Sequence, residues 1–481
     1  MVISFFPQTA MEKYTTNKYS HLRLDNNKNL VTTDHGDWCL LSDEEFDLLR
    51  KLKVHEDSNL FHVLKEKGIV ITEENFDRVV GMYRERFHFL FRGPTLHIVV
   101  PTFRCNHQCV YCHSVPKHPE TKGYDMDEDT AKSIVDFIFT SPSNLLAIEF
   151  QGGESLYNFD IIKFIIEYAE NKAAEKYKKV RFNLVTNLTM MTEEKLNFLR
   201  THKIMGISTS LDGPKEIHDA NRKYIDGNGS YDDVIYWIRR IRSEFRKDFN
   251  LNALTTVTRL SLSYPREIPD EFVRLGFNNV WLRFLNNLGF AHSTWEKIGY
   301  TPEEYITFWK NSLSHIIDIN STGRYIREVY STIFSRKILN RLDPMFLDIQ
   351  SPCGAGIGQL VYNHHGDIFT CDEAKILGDL FKLGNVMTHN ILDVTKHPTT
   401  LGMINISSKL STLCDVCAWS PYCGICPVEI YMSHGTIIPK LPIDFRCIVF
   451  NKMIKTIFEK ILFLKRDRDI LIKWINCKDL R

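Results

Sequence analysis

The chain has 481 residues, 43% of them hydrophobic, so it is long enough for about three domains with large apolar cores. Its 60 basic and 59 acidic side chains leave a net charge of +1, which offers no attraction to a polyanion, so we do not expect a nucleic acid partner. No uninterrupted apolar run approaches the ~20 residues of a membrane-spanning helix, so we expect no membrane span.

The first 92 residues precede the first barrel-type strand and form a region of their own. Two strand-like segments separated by a polar turn predict a hairpin. A serine followed three residues later by a glutamate predicts the capped start of a helix, and two more helical segments follow. The strands are expected at residues 21–24 and 30–33 with the turn at 25–29, and the helices from Ser42 onward and at 60–67 and 73–87.

Six apolar, β-branched runs come next, and helical segments separate them. This alternation predicts an α/β fold with a parallel sheet or a partial (β/α)6 barrel of the TIM type. In such folds ligands collect at the carboxyl ends of the strands. The runs lie at residues 96–102, 146–151, 180–186, 204–211, 251–257 and 280–285.

Three cysteines follow the first of these runs, in Cys105-Asn-His-Gln-Cys109-Val-Tyr-Cys112. Thiolates are the usual protein ligands of iron-sulfur clusters, and three of them leave one iron of a four-iron cluster without a protein ligand. That iron is open to chemistry, whereas a cluster held at all four irons is limited to electron transfer. The alternative is half a zinc site, although zinc prefers Cys-X2-Cys pairs that come in twos.

Polar residues also follow the next three predicted strands. A Gly-Gly pair after a strand is commonly a tight turn, and the stretch after the fourth strand can be read as a turn followed by a helix. The residues concerned are Gly152, Gly153, Glu154, Asn187, Ser210 and Arg222.

Taken together and in this order, these motifs resemble the radical S-adenosylmethionine (radical SAM) superfamily, whose signature is Cys-X3-Cys-X-aromatic-Cys, with Tyr111 as the aromatic residue. The resemblance implies that Cys105, Cys109 and Cys112 hold a 4Fe-4S cluster. It implies that the Gly-Gly-Glu motif meets the methionine ammonium of S-adenosylmethionine, although Ser155 stands where many members have proline. The implied cofactor-binding residues are Tyr111, Gly152, Gly153, Glu154, Asn187, Ser210, whose hydroxyl would serve the ribose, and Arg222, whose guanidinium suits a carboxylate.

A second concentration of cysteines lies near the other end of the chain. Cys414-X2-Cys417 and Cys423-X2-Cys426 have a spacing that a four-thiolate zinc site could also use. The full pattern, however, resembles the SPASM domain, which carries two auxiliary 4Fe-4S clusters. The resemblance implies an outer cluster on Cys414, Cys417, Cys423 and Cys447 and an inner cluster on Cys353, Cys371 and Cys426.

The inner set has three thiols because residues 354–359 lack the extra cysteine that many family members have there. This departure leaves open whether the inner cluster relays electrons or binds substrate directly. In the related sulfatase maturases an aspartate follows the Gly-X4-Cys cysteine as a candidate base, and Asp372 has that position here. An unshifted carboxylate, with a pKa of ~3.9, is a weak base, so the role requires a raised pKa. The alternative is that Asp372 only accepts hydrogen bonds from its loop.

The first seven residues lack the basic start and the length of a signal peptide. We therefore expect a reducing, cytoplasmic location, where cysteines act as metal or catalytic ligands rather than as disulfides. Residues 453–474 form an amphipathic basic stretch that suits either a membrane surface or packing on its own domain.

The N-terminal hairpin and helices look like the winged-helix module with which many peptide-modifying enzymes capture a precursor leader by strand addition. A plain cap on the barrel is the alternative. Over nearly the whole chain the motifs resemble the radical SAM maturases of the His-Xaa-Ser peptide system. The predicted domains are this module at 1–92, the radical SAM barrel at 93–330, the SPASM domain at 331–450 and a C-terminal helix at 451–481.

The resemblance implies an oxidoreductase that matures a ribosomally made precursor peptide. A 5'-deoxyadenosyl radical would abstract a hydrogen atom and a side-chain cross-link would form, with an electron donor such as flavodoxin or ferredoxin as partner. One alternative is a maturase that oxidises a serine or cysteine of a folded protein, as the anaerobic sulfatase maturases do. The other is a zinc-binding adaptor without enzymatic activity. S-adenosylmethionine and three 4Fe-4S clusters, one radical SAM and two auxiliary, are the expected cofactors.

Overall fold

The computed structural model describes residues 14–24, 27–409 and 412–476 of the chain. Its N-terminal part contains a three-stranded antiparallel sheet, a separate pair of short strands and three helices. The capped helix predicted at Ser42 is confirmed, because Glu45 N donates to Ser42 Oγ at 3.1 Å and Ser42 N donates to Glu45 Oε2 at 2.7 Å. The elements are β1 Thr15–Thr16, β2 Tyr19–Arg23, β3 Asn29–Thr33, β4 Trp38–Leu41, α1 Asp43–Arg50, α2 Asn59–Glu66, β5 Val70–Ile71 and α3 Phe76–Arg86.

The predicted hairpin is confirmed as β2 and β3, which pair antiparallel from Tyr19 opposite Thr33 to Arg23 opposite Asn29. Two residues of its predicted turn, Asp25 and Asn26, lie outside the described residues, as does the N-terminal stretch that was read for a signal peptide.

All six apolar runs form strands, and each pairs in parallel with its neighbours. The predicted α/β fold is therefore confirmed, with strand ends shifted by one to three residues. The elements are β6 Leu96–Val99, α4 Glu128–Ile138, β7 Leu145–Phe150, α5 Phe159–Glu175, β8 Lys179–Val185, α6 Glu193–Thr201, β9 Gly206–Ser210, α7 Lys215–Asn221, α8 Tyr231–Glu244, β10 Asn250–Thr256, α9 Glu267–Arg274, β11 Asn279–Val280, β12 Leu282–Arg283, α10 Phe290–Ile298, α11 Pro302–Ser321, β13 Arg327–Glu328 and α12 Val329–Asn340.

The cysteine-rich region continues the central sheet instead of forming a separate body. Its first strand, β14, pairs in parallel with β6, so that Gln359 lies opposite Leu96 and Tyr362 opposite Val99. Two antiparallel strands complete a nine-stranded sheet in the order β12-β10-β9-β8-β7-β6-β14-β15-β16. The elements are β14 Gln359–Tyr362, β15 Asp367–Phe369, β16 Lys382–Asn385, α13 Ile391–Thr395, α14 Pro398–Ser407, α15 Pro427–His434, α16 Phe445–Phe463 and α17 Lys465–Asn476.

The main core lies between this sheet and the helices around it. Phe150, Phe272 and Trp309 are among its fully buried side chains. Burying one such side chain contributes about 1.5–3 kcal/mol, and dozens of them fix the strand ends relative to one another. The strand ends are the places where the polar motifs stand, so the core positions the site.

The C-terminal stretch forms two helices, α16 and α17, where a single helix was predicted. Leu464 between them has an extended conformation, with φ −119° and ψ 92°, and Lys460 and Asp467 pair across the corner at 2.6 Å. Their apolar faces pack within the domain, because Met453 and Trp474 are fully buried. This packing favours the second of the two predicted roles, although Phe463, Leu464 and Ile472 remain exposed. Among the described residues, no helix is both long and apolar enough to cross a membrane.

The domain division stays a prediction. Its boundaries at 330/331 and 450/451 lie inside α12 and α16, so the barrel and the cysteine-rich region are joined through continuous helices. A helix whose apolar pattern runs on without interruption gives no signal of a boundary at its middle.

Candidate active site

The first three cysteines lie on the long loop between β6 and α4, as predicted. Backbone hydrogen bonds hold this loop from both sides: Cys105 N donates to Lys117 O at 3.0 Å, and Val110 N donates to Asn221 O at 3.0 Å. Cys105 and Cys109 are 7% exposed. Burial raises the pKa of Cys105, and the neighbouring thiols Cys109 and Cys112 raise it further.

Two glycines bring the end of β7 against this loop. A Cβ atom added at Gly153 would lie 2.3 Å from Arg104 O, and one at Gly152 would lie 2.4 Å from Thr102 O. Gly152 also has φ +140°, a conformation that other residues rarely adopt. Gly153 N and Glu154 N donate to the same carbonyl oxygens, Thr102 O at 3.0 Å and Arg104 O at 2.8 Å. The Gly-Gly pair is therefore required for a close approach of two backbones beside the cysteines.

We expect Gly153→Ala to destabilise the protein by ~1–3 kcal/mol, because the added methyl group must displace the backbone of the cysteine loop. Reductive cleavage of S-adenosylmethionine should fall with it. The matched control is Gly402→Ala, since a Cβ at Gly402 in α14 meets nothing within 4 Å. Thermal unfolding of the two variants checks the prediction, and equal stability of both would contradict it.

Glu154 is buried, and its carboxylate ties β7 to the end of β8. Oε1 accepts from Thr186 Oγ1 at 2.7 Å and from Leu156 N at 3.1 Å, and Oε2 accepts from Asn187 N at 2.7 Å. The Asn187 side chain in turn donates to Asn106 Oδ1 on the cysteine loop at 2.9 Å. Glu154 and Asn187 thus lie where the sequence places them, beside the cysteines, and they also link three strand ends.

Tyr111 and Arg222 meet in a buried network around a carboxylate that the sequence analysis did not select. Tyr111 Oη donates to Asp212 Oδ2 at 2.8 Å, and Arg222 Nη1 donates to Tyr111 Oη at 3.0 Å. Asp212 is fully buried, two residues beyond half-buried Ser210 at the end of β9. The position of Asp212 just after a predicted strand was the sequence signal that could have identified it. Arg222 Nε is buried and forms no hydrogen bond within the described residues, so the guanidinium keeps a donor for a further acceptor.

The seven later cysteines form two neighbouring groups. Burial, followed by the charges of Glu373, Cys426 and Cys353, raises the pKa of Cys371. Burial, with the charges of Cys423, Cys414 and Cys417, raises the pKa of Cys447 to about 12. The structure therefore brings together the thiols that the SPASM resemblance assigns to one inner and one outer set, namely Cys353, Cys371 and Cys426, and Cys414, Cys417, Cys423 and Cys447.

These are groups of neighbouring thiols, and their role as ligands stays a prediction. Within the residues that the structure describes, no three His, Cys, Asp or Glu side chains converge as they would on a single metal ion.

Asp372 connects the first cysteine loop to the inner set. Its Oδ2 lies 2.8 Å from His113 Nε2, and its Oδ1 accepts from Lys375 Nζ. Although burial alone would raise it, Lys375 and His113 hold the pKa of Asp372 well below its usual range. The role of Asp372 as a base stays a prediction. The sequence analysis missed His113 because its contact with Asp372 joins residues 259 positions apart, and it missed Lys375 although that residue is only three positions from Asp372.

Comparison with known proteins agrees with this geometry. Residues 99–271 match the family model of the radical SAM superfamily. A cysteine-type anaerobic sulfatase-maturating enzyme from Clostridium perfringens is 26% identical over 66% of this chain and 84% of its own length. Residues 99–271 thus match the radical SAM model, and the chain is similar to sulfatase maturases over about two thirds of its length.

Two solved structures share the fold. A structure described as native anSMEcpe with bound AdoMet and Cp18Cys peptide has a TM-score of 0.65 at 23% identity and covers 79% of this chain and 100% of its own. Streptococcus suis SuiB bound to precursor peptide SuiA has a TM-score of 0.55 at 15% identity and covers 90% of this chain and 98% of its own.

Proposed function

Because this chain is a radical SAM enzyme, we propose that it modifies a ribosomally made precursor peptide and forms a side-chain cross-link in it. One observation carries the choice of substrate. The sulfatase maturase fold is matched over 100% of its own length yet covers 79% of this chain, whereas the fold of SuiB, solved with its precursor peptide, covers 90%. The additional chain supports a peptide-binding part.

The residues of the first site fit a four-iron cluster with S-adenosylmethionine. Cys105 and Cys109, which are buried, and Cys112, which is partly exposed, would hold the cluster, since three thiolates leave one iron without a protein ligand. The close backbone approach at Gly152 and Gly153, which any side chain would prevent, fixes the end of β7 beside the cysteine loop. When bound, this pair of cofactors supplies a 5'-deoxyadenosyl radical that abstracts a hydrogen atom from the substrate.

The polar residues around the cysteines would orient S-adenosylmethionine. Arg222 Nε is suited to its carboxylate, and Ser210 at the strand end offers a hydroxyl to the ribose. Glu154 and Asn187 would act mainly through the backbone that they fix. Tyr111 would hold Arg222 and Asp212 in place through its hydroxyl.

The inner and outer sets would hold the two auxiliary clusters, and an electron carrier such as flavodoxin or ferredoxin would exchange electrons with them. The inner set has three thiols and lies beside Asp372, which contacts His113 of the first loop. This placement supports a substrate position between the first and inner clusters.

The N-terminal sheet of β2, β3 and β4 would receive the precursor leader as an added strand. More specifically, we assign the enzyme to the His-Xaa-Ser peptide system. Its substrate peptide would then be encoded by a short open reading frame near the gene. Co-expression of the enzyme with that peptide, followed by mass spectrometry, tests the proposal. We expect a loss of two hydrogen atoms per cross-link, whereas an unmodified peptide would contradict it.

A second candidate is oxidation of a serine or cysteine in a folded sulfatase. The sequence similarity to the cysteine-type sulfatase maturase, 26% identity over 66% of this chain, favours it. An aldehyde formed on a sulfatase peptide, with no change in any precursor peptide, would replace the first proposal by this one.

We expect Asp372→Asn to keep all clusters and to cleave S-adenosylmethionine, yet to form little modified peptide. The amide loses the ion pairs with His113 and Lys375, so both a proton-accepting role and a role in orienting His113 would be lost. Asp318→Asn is the matched control, because Asp318 forms an exposed ion pair with Arg466. Product formation at the control's rate would show that Asp372 serves only the structure of its loop.

A further inference from the structure

Three cations gather around the outer cysteines. Lys337 on α12 is 1% exposed, and Lys409 after α14 is 3% exposed. Arg86, the last residue of α3, comes from the N-terminal part. Each influences the others: the charges of Lys337 and Arg86 both disfavour the charged form of Lys409. Like charges brought together in a poorly solvated interior repel, so an anion must compensate them for the arrangement to be stable.

A carboxylate compensates the charge of only one of these three cations. Asp343 pairs with Lys337 at 3.0 Å. Within the described residues, Lys409 and Arg86 form no ion pair with a carboxylate. Lys409 Nζ instead lies against the backbone of the outer cysteine Cys423, 2.8 Å from its carbonyl oxygen. Thiolates of the outer set would therefore supply the compensating negative charge.

The same cations hold the backbone between these cysteines. Lys409 Nζ donates to Cys423 O at 2.8 Å and also to Ser420 O. Arg86 Nη2 donates to Pro421 O. The positive charges are thus fixed relative to the outer thiols by hydrogen bonds and by burial, and they cannot move away when the charge at the site changes.

The inner set has a different electrostatic environment. Glu373 lies two residues after Cys371, and Glu429 on α15 lies three residues after Cys426 and forms a buried ion pair with Arg446. The outer set has Asp444 three residues before Cys447, and Asp343 pairs with Lys337. Lys409 and Arg86 therefore leave an excess of positive charge at the outer thiols, whereas Glu373 leaves an excess of negative charge at the inner ones.

We propose that Lys337, Lys409 and Arg86 raise the reduction potential of the outer auxiliary cluster above that of the inner one. The inference rests on the proposed function, since it requires that both sets hold clusters. Reduction adds one electron to a cluster already bearing the negative charge of its thiolates, and fixed positive charges stabilise the reduced form. An electron leaving the substrate side would then rest on the outer cluster until a one-electron carrier protein accepts it.

The test measures midpoint potentials on the full-length, iron-reconstituted protein in which Cys105, Cys109 and Cys112 are alanine, so that only the auxiliary signals remain. The signal of the outer cluster is identified as the one that disappears when Cys414 is also replaced. We expect the outer potential to be the higher one, and to become more negative in Arg86→Met and in Lys409→Met. Arg86→Lys should retain it, and Lys132→Met on the exposed side of α4 is the control.

Iron and sulfide analysis separates the two ways to fail. A protein without sulfide overturns the proposed auxiliary clusters and this inference together. Two intact clusters with an outer potential unchanged in Arg86→Met, or below the inner one, overturn the inference alone. If Lys409→Met does not fold, the Arg86 pair of variants decides, because Arg86 is half-buried at a helix end and its replacement leaves the core intact.

Discussion

Replacing Cys105, Cys109 and Cys112 together by alanine will remove about four irons per chain and abolish reductive cleavage of S-adenosylmethionine. The three thiols are the only groups that the proposal gives for holding the first cluster, so their loss leaves it without protein ligands. We expect cleavage to fall to the background of the cofactor alone. Counting 5'-deoxyadenosine after reduction, with iron analysis of the same samples, measures both effects.

The matched control is Cys39→Ala. Cys39 is a buried thiol on β4 of the N-terminal sheet, so its loss changes the thiol count without affecting the barrel. It should keep the iron content and the cleavage rate of the original chain. Undiminished cleavage by the triple variant would contradict the assignment of the first site.

The barrel strands were predictable because each buried parallel strand is a continuous apolar run flanked by polar turns. The run at residues 146–151 became β7, Leu145–Phe150, and the run at 251–257 became β10, Asn250–Thr256. The polar residues at the strand ends could be found for the same reason, since a strand end and its loop are adjacent in sequence.

Contacts between distant parts of the chain could not be predicted in this way. The pairing of β14 with β6 joins residues more than 250 positions apart, and no local pattern specifies it. That pairing brings Asp372 to His113, with 2.8 Å between Asp372 Oδ2 and His113 Nε2. The division of the C-terminal stretch into α16 and α17 was missed because residues 453–476 contain no glycine or proline to mark the corner at Leu464.

The N-terminal part contacts the outer cysteine loop, which the sequence also did not indicate. Thr32 Oγ1 donates to Ala418 O at 3.0 Å, and Tyr422 Oη donates to Gly36 O at 3.1 Å. Both contacts join this part to the segment between Cys417 and Cys423. A peptide captured by the N-terminal sheet would therefore lie on a part of the molecule that also supports the outer set.

Substitution of Cys414, Cys417, Cys423 and Cys447 by alanine should unfold the outer region. Three of these thiols stand on a loop and the fourth on α16, so a shared cluster would fasten the loop to the helix. Metal binding at structural zinc sites supplies about 10–16 kcal/mol of folding free energy in small peptides, and losing a comparable anchor would leave the loop with only its few side-chain contacts. We expect protease cleavage between residues 410 and 447 and a lower midpoint of thermal unfolding.

The triple variant that lacks the first cluster provides the comparison, because its outer thiols are intact. It should resist the protease in this region and remain brown, with iron and sulfide near the amount for two clusters. Zinc without sulfide in that variant would instead identify a structural zinc site, since zinc takes the same thiolates but binds no sulfide. If the variant without outer cysteines kept the original unfolding midpoint, the region would owe its structure to Lys409, Tyr422 and the packing of α16 alone. The decisive quantity is therefore the difference in unfolding midpoint between the two variants, because both lack one thiol set and only one of them loses the anchor between the loop and α16.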